Sequence, residues 1–313
     1  MEISVVVQSI MLIALMIFLG AILSRTFPFN NDTRQMFISL IVNVAMPSII
    51  LSSIFNVDIT KDSFKLIVIV FILSIVINLT GIGLGGLFAR IFYPRSKKKA
   101  ELAILSGLGN TGFIGIPLCA VLIGPEGALF AAIFDAGVDF TIWTVGVFLL
   151  QENKKVNFNT LKSMINVPMI AIAIGLTSAY IGFRPPSIVI DLTDHLAALA
   201  VPLAMFYIGA IIMSLQRSKV NESSSKIWLP IIVKLIILPI SVALMINFIH
   251  LEKFIIQTVL IQSMMPTITL ASILFAKYSG DEDMGAITTV MSTIVALSTI
   301  PLMIYLVNAF IAF

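Results

Sequence analysis

The sequence predicts an all-α polytopic membrane protein with ten transmembrane helices, arranged as two inverted five-helix repeats whose fourth and ninth helices are broken and cross. Three observations predict this fold: long apolar spans, a recurrence at a fixed offset, and helix-breaking interruptions inside two spans. Of 313 residues, 59% are hydrophobic and 11% charged, and the mean hydropathy is +1.09. This composition is typical of a polytopic membrane protein rather than a soluble domain.

Ten apolar stretches are long enough to cross a bilayer, which takes about 20 residues each. The first is interpreted as a retained helix, because it lacks the basic segment and cleavage site of a signal peptide. The connections between the stretches are short. The predicted spans are 5–24, 36–55, 64–91, 100–123, 127–150, 166–182, 190–213, 227–249, 253–277 and 284–310.

Lysine and arginine are unevenly distributed between the two sets of loops. Fourteen lie on the side of the loop at 90–99, four lie on the other side, and Lys234 lies inside a span. Because basic residues are enriched in cytoplasmic loops, both termini are predicted outside the cytoplasm of a plasma-membrane protein. The fourteen are Arg25, Arg34, Arg90, Arg95, Lys97, Lys98, Lys99, Lys154, Lys155, Lys162, Arg217, Lys219, Lys226 and Lys277.

An internal repeat is indicated by residues that recur 155 positions apart. Gly20 recurs as Gly175, and Pro47 recurs as Pro202. The same offset superimposes the fourth span on the ninth, and predicts repeats at 1–155 and 156–313. Because each repeat has an odd number of spans, the second enters the membrane inverted. Inverted repeats with broken helices are typical of secondary transporters.

The fourth and ninth spans are interrupted by "LGNTGFIGIP" (108–117) and "QSMMPTITLA" (262–271). Unwound backbone survives at membrane depth only where protein or water surrounds it. The second halves are predicted to begin at about Gly112 and Thr267, each exposing N–H groups and a partial positive charge. Two such ends would form an anion site. The alternative is that glycine and proline only kink two packed helices.

Candidate substrate-binding residues follow from these interruptions. Neutral donors are expected from Asn110, Thr111, Thr267 and Thr269, and Gln262 precedes the second break. Polar residues in other spans, such as Asn43 and Asn78, more commonly form helix–helix hydrogen bonds. The complete substrate-binding set is Asn43, Asn110, Thr111, Gly112, Pro117, Gln262, Pro266 and Thr267.

Ionisable residues inside spans are functional candidates, because charge at mid-membrane is costly. Asp135 and Asp139 lie four residues apart on one helix face, so their carboxylates repel and at least one is expected to hold a proton. They are candidates for proton coupling, or alternatively structural carboxylates. Lys234 is a third candidate, which either snorkels to the cytoplasmic interface or has a buried partner such as Asp135 or the substrate.

Other features predict no catalytic residue, metal site or cofactor. "GIGLGG" (81–86) lies within a span and follows no strand, so it is not a dinucleotide site. The acidic "GDEDMG" (280–285) is better explained by Asp281 or its neighbours capping the tenth helix. The net charge of +3 does not indicate a nucleic-acid partner, and a single cysteine allows no intrachain disulfide.

Five segments resemble the auxin efflux carrier family, which includes bacterial organic-acid permeases. The resemblance implies crossed spans four and nine, proton- or potential-linked transport of small carboxylates such as malate, malonate or an auxin, and a homodimer in the lipid membrane. It places Asn110 and the Pro266 region at the substrate carboxylate. Asp135 matches the family pattern, whereas Asp139 departs from it. The segments are "GLGNTGFIGIPL" (107–118), "GALFAAIFDAG" (127–137), "VPLAMFYIGA" (201–210), "KLIILPI" (234–240) and "MMPTITLASILFAKYSGD" (264–281).

The predicted function is secondary transport of a small organic anion by alternating access. Spans three to five and eight to ten would move relative to a scaffold of spans one, two, six and seven, as the resemblance implies. Two alternatives stay open: a sodium-coupled organic anion symporter of the bile-acid-carrier type, and a sensor that binds an anion without moving it. An enzyme is not predicted, because no nucleophile–base pair is found.

Overall fold

A computed structural model describes residues 3–57, 61–151, 165–214, 226–246, 248–249 and 251–310. Most of these residues lie in helices, and no β-strand is found among them. The predicted repeat boundary between residues 155 and 156 lies outside the described residues. The same is true of five basic residues used to predict the orientation, namely Lys154, Lys155, Lys162, Arg217 and Lys219.

Helical segments occur in the order in which apolar spans were predicted. Six of them, α2, α3, α5, α7, α8 and α10, are long and apolar enough to cross a membrane. Shorter apolar helices cover Met11–Leu23, Thr111–Leu122 and Val167–Tyr180. The segments are α1 (Ile3–Leu23), α2 (Asn31–Phe55), α3 (Lys61–Phe92), α4a (Lys99–Gly107), α4b (Thr111–Leu122), α5 (Pro125–Leu150), α6 (Val167–Tyr180), α7 (Ser187–Ser214), α8 (Lys226–Ile246), α9a (Lys253–Ser263), α9b (Ala271–Lys277) and α10 (Glu282–Phe310).

Two groups of helices are recognisable from their packing. In the first group α1 packs along α7, and α6 packs along α2. In the second group α3 contacts α4a and α5, α9a contacts α5 and α8, and α9b packs against α10. The two groups meet where α2 contacts α5 and where α7 contacts α4b. Both broken helices therefore belong to the second group, at its boundary with the first.

The fourth and ninth helices are interrupted, as the sequence predicts. Helix α4b begins at Thr111, within one residue of the predicted start. The predicted start at Thr267 is wrong, because α9b begins at Ala271. The reason is tertiary: Ser292 Oγ accepts the Thr267 N–H at 3.1 Å, and the Leu108 carbonyl accepts the Ile268 N–H at 3.2 Å. These bonds keep the chain out of the helix until four residues beyond the predicted start.

Prolines locally widen three of the helices. One π-helical turn precedes Pro47 (Ile41–Ala45), one precedes Pro117 (Thr111–Gly115), and one precedes Pro239 (Val233–Ile237). Proline has no N–H, and its ring clashes with the carbonyl four residues earlier. A widened turn accommodates the clash, and such turns are frequent at functional sites. The widened segments hold or adjoin Asn43, Asn110 and Lys234.

The loop before α10 is tied to the loop before α4a. Asp281 Oδ1 accepts the Met284 N–H at 2.9 Å, which confirms the predicted helix cap. The other Asp281 oxygen pairs with the Lys98 ammonium, and the Asp281 N–H donates to Glu101 Oε1 at 2.8 Å. Partial burial raises the pKa of Asp281, but the hydrogen bonds from Lys98 and Met284 outweigh it and hold this pKa below its ordinary value.

Replacing Asp281 by alanine is expected to lower the free energy of unfolding by about 1 kcal/mol at pH 7, a typical value for a lost N-cap. The folded-state pKa lies below the ordinary value of 3.8. The contribution of the charge is therefore fully present above that value and is lost as the pH falls through the folded-state pKa. Denaturant unfolding in detergent at pH 7 and pH 3 measures this difference.

A suitable control is Glu252→Ala, because Glu252 occupies the N-cap of α9a without a side-chain capping bond. It is expected to change stability by less than about 0.5 kcal/mol at either pH, as surface substitutions usually do. Equal losses for the two variants would contradict the capping role of Asp281.

Candidate anion-binding site at the broken helices

The two interruptions lie against each other and pair through their backbones. The Asn110 N–H donates to the Pro266 carbonyl at 2.7 Å, and the Ile268 N–H donates to the Leu108 carbonyl at 3.2 Å. Gly109 and Thr267 thereby form an antiparallel bridge. Each break satisfies backbone groups that the other leaves unpaired, as an environment without water requires. Two unrelated kinks would not explain this reciprocal pairing.

Asn110 lies at the start of α4b, where its side chain faces a narrow cavity. The side chain is 6% exposed, and the cavity is also lined by Phe113, Tyr207 and Thr269. The Asn110 carbonyl accepts the Gly115 N–H at 3.3 Å, which closes the first widened turn. The N–H groups of the first turn have no intrahelical acceptor, so a partial positive charge develops there. The structure thus combines an amide and a helix N-terminus beside one cavity.

A carboxylate of the protein lies against the same first turn. Thr111 Oγ1 donates to Asp135 Oδ1 at 2.5 Å. A Cβ atom added to Gly112 would lie 2.9 Å from Asp135 Oδ2, so only glycine allows this approach without displacement. The Thr111 hydroxyl, expected to be available as a donor, is engaged by Asp135.

Asp139 lies one turn further along α5 and has a different partner. Its Oδ2 accepts a hydrogen bond from Asn166 Nδ2 at 2.7 Å, at the start of α6. Both Asp135 and Asp139 are partly exposed. Of the two carboxylates, therefore, only Asp135 bonds to the broken helix α4b, whereas Asp139 bonds to α6 of the first helix group.

Lys234 lies at the crossing, so the snorkelling alternative is wrong. Its side chain is 2% exposed, and Nζ donates to the Ser263 carbonyl at 3.0 Å. A Cβ added to Gly109 would lie 3.1 Å from Nζ. No carboxylate lies within ion-pair distance of Lys234 in the part of the chain described, so the suggested pairing with Asp135 is not found. The ammonium group caps the negative end of α9a, where a cation is favourable.

Gln262 and Thr267 are buried at the crossing and engaged by neighbouring helices. Gln262 Nε2 donates to the Ala131 carbonyl of α5 at 3.2 Å, while Oε1 has no partner among the described residues. The Thr267 hydroxyl lies 2.8 Å from Ser292 Oγ of α10. The Pro266 carbonyl accepts from Asn110, as described above. These three residues shape the crossing, and Thr267 is not the free donor that was expected.

Two predicted substrate-binding residues, Asn43 and Pro117, do not lie with the others at the crossing. Asn43 is exposed, and its Nδ2 donates to Ser39 Oγ of its own helix at 3.0 Å. Asn78 likewise bonds to Ser74 within its own helix, so the expected helix–helix bonds are not the ones formed. Pro117 is buried within α4b, where it widens the preceding turn rather than lining the cavity beside Asn110.

The sequence alone did not indicate a role for Tyr207 or the orientation of Arg34. Tyr207 is 1% exposed, and its hydroxyl accepts a hydrogen bond from Arg34 Nε at 3.3 Å. Its ring lies 6.0 Å from that of Phe113 and also packs against Phe29 and Phe37. The sequence position of Arg34 indicates only a basic loop residue. No local pattern connects it to α7, since the two residues are 173 positions apart.

Comparison with known proteins gives the family. Residues 5–157 and 153–304 match the sequence model of a family described as "Membrane transport protein". The chain belongs to this family. The resemblance to auxin efflux carriers is thereby confirmed, and the protein is an integral membrane transporter, not an enzyme.

Relatives of this membrane transport protein cover almost its whole length. An "Uncharacterized transporter" of Methanothermobacter thermautotrophicus is 25% identical over 94% of the chain and 96% of its own length. A similarly named protein of Methanocaldococcus jannaschii is 26% identical over 94% and 97%. A "Putative malonate transporter" of Rhizobium meliloti is 22% identical over 94% and 93%. All three names describe transporters.

Proposed function

We propose that this membrane transport protein is a secondary transporter that moves a small organic anion by alternating access and binds its carboxylate at the crossing, beside Asn110. The observation that carries the proposal is the reciprocal backbone pairing of the two broken helices next to the N-terminus of α4b. An anion there would meet backbone N–H groups, the Asn110 amide and the Thr269 hydroxyl.

Electrostatics of the crossing favour an anion over a cation. The first turn of α4b contributes a partial positive charge. The Lys234 ammonium is held behind the crossing against Gly109, and buried charge is only weakly screened. Asp135 opposes this charge, and its protonation would couple transport to protons. Lys234 then acts through its field rather than by exchanging a proton.

Helix packing supports ten spans in two inverted repeats, 1–155 and 156–313. Because each proposed repeat has five helices, α1 corresponds to α6 and α2 corresponds to α7. The packing of α1 on α7 in one direction therefore corresponds to the packing of α6 on α2 in the other, and both pairs of helices are in contact. We propose that the second helix group moves against the first. The charge distribution and the family resemblance further suggest a plasma-membrane homodimer with both termini outside the cytoplasm.

The expected substrates are small carboxylates. The Rhizobium meliloti relative is named for malonate, at 22% identity. That similarity makes malonate and malate the first candidates, followed by an aromatic auxin-like acid. Neutral donors at the crossing would suit the carboxylate that these acids share, without selecting among their remaining groups.

A carboxylate substrate is expected to raise the thermal stability of the purified protein, and Asn110→Ala is expected to abolish the increase. A ligand that binds only the folded state at a hundredfold excess over Kd stabilises it by about 2.7 kcal/mol. Melting curves in detergent are measured with malonate, malate, acetate and indole-3-acetate at constant ionic strength. Positive ligands are then tested for uptake into proteoliposomes.

Asn78→Ala provides a matched control, because it removes an equally buried amide whose hydrogen bonds stay within α3. This variant should retain the shift. A shift that survives Asn110→Ala would place the ligand elsewhere, and binding without uptake would favour a sensor. Each ligand is measured in sodium and in potassium, since a shift that requires sodium would identify the sodium-coupled alternative.

A further inference from the structure

Two cavities lie between the helix groups, one beside the crossing and one beside Arg34. One is lined by Asn110, Phe113 and Tyr207, and the other by Phe29 and Arg34. Four residues line both cavities, so the spaces adjoin. These shared residues are Ile211, Thr269, Thr289 and Val290. The two adjoining cavities are together called the passage here. They extend from the amide at the crossing to Arg34, at the end of the molecule that we predict to face the cytoplasm.

Among the described residues that line this passage, Arg34 is the charged one. Its side chain is half-buried, and Nε donates to the buried Tyr207 hydroxyl. No carboxylate of the described residues lies within ion-pair distance of it. A guanidinium carries five N–H donors, and its two terminal nitrogens match a carboxylate in a bidentate pair. The Tyr207 bond uses Nε and leaves that terminal fork available.

Tyr207 fixes Arg34 toward the passage rather than toward lipid. Its ring packs against Phe29 and Phe37, and against Phe113 of the broken helix α4b. A single buried side chain thus separates the guanidinium from the first turn of α4b. A cation serving only lipid headgroups would need no anchor of this kind.

Hydroxyl groups of the ninth span line the same cavity as Arg34. Thr269 lies in the unwound segment, and Ser272 lies in the first turn of α9b. Both side chains are partly exposed. An anion held by Arg34 would therefore contact the first helix group through the guanidinium and the second group through hydroxyls. Because these groups are proposed to move relative to each other, such an anion would lie at their interface.

We propose that Arg34 and Tyr207 form a second anion subsite, which binds the distal carboxylate of a dicarboxylate whose first carboxylate lies beside Asn110. The inference rests on the proposed function and narrows its substrate class from carboxylates to dicarboxylates. Arg34 is the residue that pairs with the second carboxylate, and Tyr207 positions it.

The test compares malonate with malonamate, which has nearly the same size but a single carboxylate. Dissociation constants are measured by calorimetry on protein in detergent without added lipid. The wild type should bind malonate at least tenfold more tightly than malonamate. Arg34→Gln should raise the malonate Kd by roughly 10- to 100-fold, the usual effect of losing hydrogen bonds between charged groups. Its malonamate Kd should stay within twofold of the wild type.

Two further variants separate the subsite from general charge and from folding. Arg25→Gln removes an exposed basic residue from the same end of the molecule without touching the passage, and should leave both constants unchanged. Tyr207→Phe keeps the aromatic ring and leaves the Arg34 charge in place, but it removes the hydroxyl that accepts the Arg34 Nε hydrogen bond. It should therefore weaken malonate binding less than Arg34→Gln does. Melting curves of each variant confirm that it is folded.

Several outcomes would overturn the subsite. Arg34→Gln could weaken both ligands equally, or neither. A third outcome would assign Arg34 to a lipid headgroup instead. In that case the Arg34→Gln variant keeps the wild-type malonate Kd, and its melting temperature falls below that of the wild type only in nanodiscs that contain phosphatidylglycerol. If the wild type binds neither these two acids nor any other carboxylate of the thermal-stability series, the proposed function itself fails. If it binds only another acid of that series, the function stands and the subsite falls. If it binds both equally and Asn110→Ala removes both, the function stands and only the second subsite falls.

Discussion

Replacing Gly112 by leucine is expected to abolish transport without unfolding the protein. A Cβ at this position would lie 2.9 Å from Asp135 Oδ2 and 2.9 Å from Met46 Cε, closer than ordinary packing allows. Gly112→Ala must already displace one of these groups, and leucine adds three more carbon atoms. Misplacing groups in a site by about 1 Å can lower rates about 100-fold. The measurement is uptake of the substrate into proteoliposomes.

Gly83→Ala is the matched control, because it introduces the same methyl group in α3 where no atom lies within 4 Å of the new Cβ. This variant should transport at the wild-type rate. Monodispersity and melting temperature establish that the Gly112 variants are folded. Transport by Gly112→Leu at more than half the wild-type rate would show that α4b and Asp135 need not meet.

Local sequence signals predicted the first break well and the second one poorly. Asn110 and the glycines around it disfavour a helix wherever they occur, so α4b was placed within one residue. The start of α9b depends instead on two bonds from distant residues, Ser292 and Leu108. No pattern near Thr267 encodes those partners. Helix propensity placed the break, and tertiary bonds set its length.

The surroundings of the site were harder to predict than its backbone. The pairing of Arg34 with Tyr207 joins residues in different predicted repeats. The sequence allows Lys234 two opposed environments, the cytoplasmic interface or the protein interior, and only the packing of α8 against α9a distinguishes them. Proline is only a partial signal for a widened turn. Such turns precede Pro47, Pro117 and Pro239, but α10 continues through Pro301, and the widened turn at Ile142–Gly146 has no proline after it.

The position of Asp135 gives a physical reason for competition between its negative charge and the substrate. The N-terminus of α4b, which would attract the substrate's carboxylate, already lies against the Asp135 carboxylate, to which the Thr111 hydroxyl donates a hydrogen bond. Two carboxylates at one helix end repel, and at 4 Å the repulsion is about 4 kcal/mol at an effective dielectric constant of 20. Substrate binding and ionisation of Asp135 should therefore oppose each other. This competition would couple the proton to the anion without a direct contact between them.

Asp135→Asn is accordingly expected to make substrate affinity independent of pH. In the wild type, affinity should fall by more than about tenfold as rising pH ionises Asp135, because the repulsion then acts in full. Asparagine has the size of the protonated acid, and its carbonyl oxygen can accept the Thr111 hydrogen bond, so the variant should bind tightly at every pH. Calorimetric titrations with one carboxylate across a pH series measure both proteins.

Asp139→Asn separates this mechanism from titration of the substrate and from the loss of any acid in α5. Asp139 bonds to Asn166 and has no hydrogen bond to α4b, so its variant should keep the wild-type pH dependence. The ratio of variant to wild-type affinity at each pH cancels protonation of the ligand. A wild-type slope in Asp135→Asn, or a flat profile in Asp139→Asn, would reassign the proton. Coupling would then reside in the contact between α5 and α6, rather than at the broken helix.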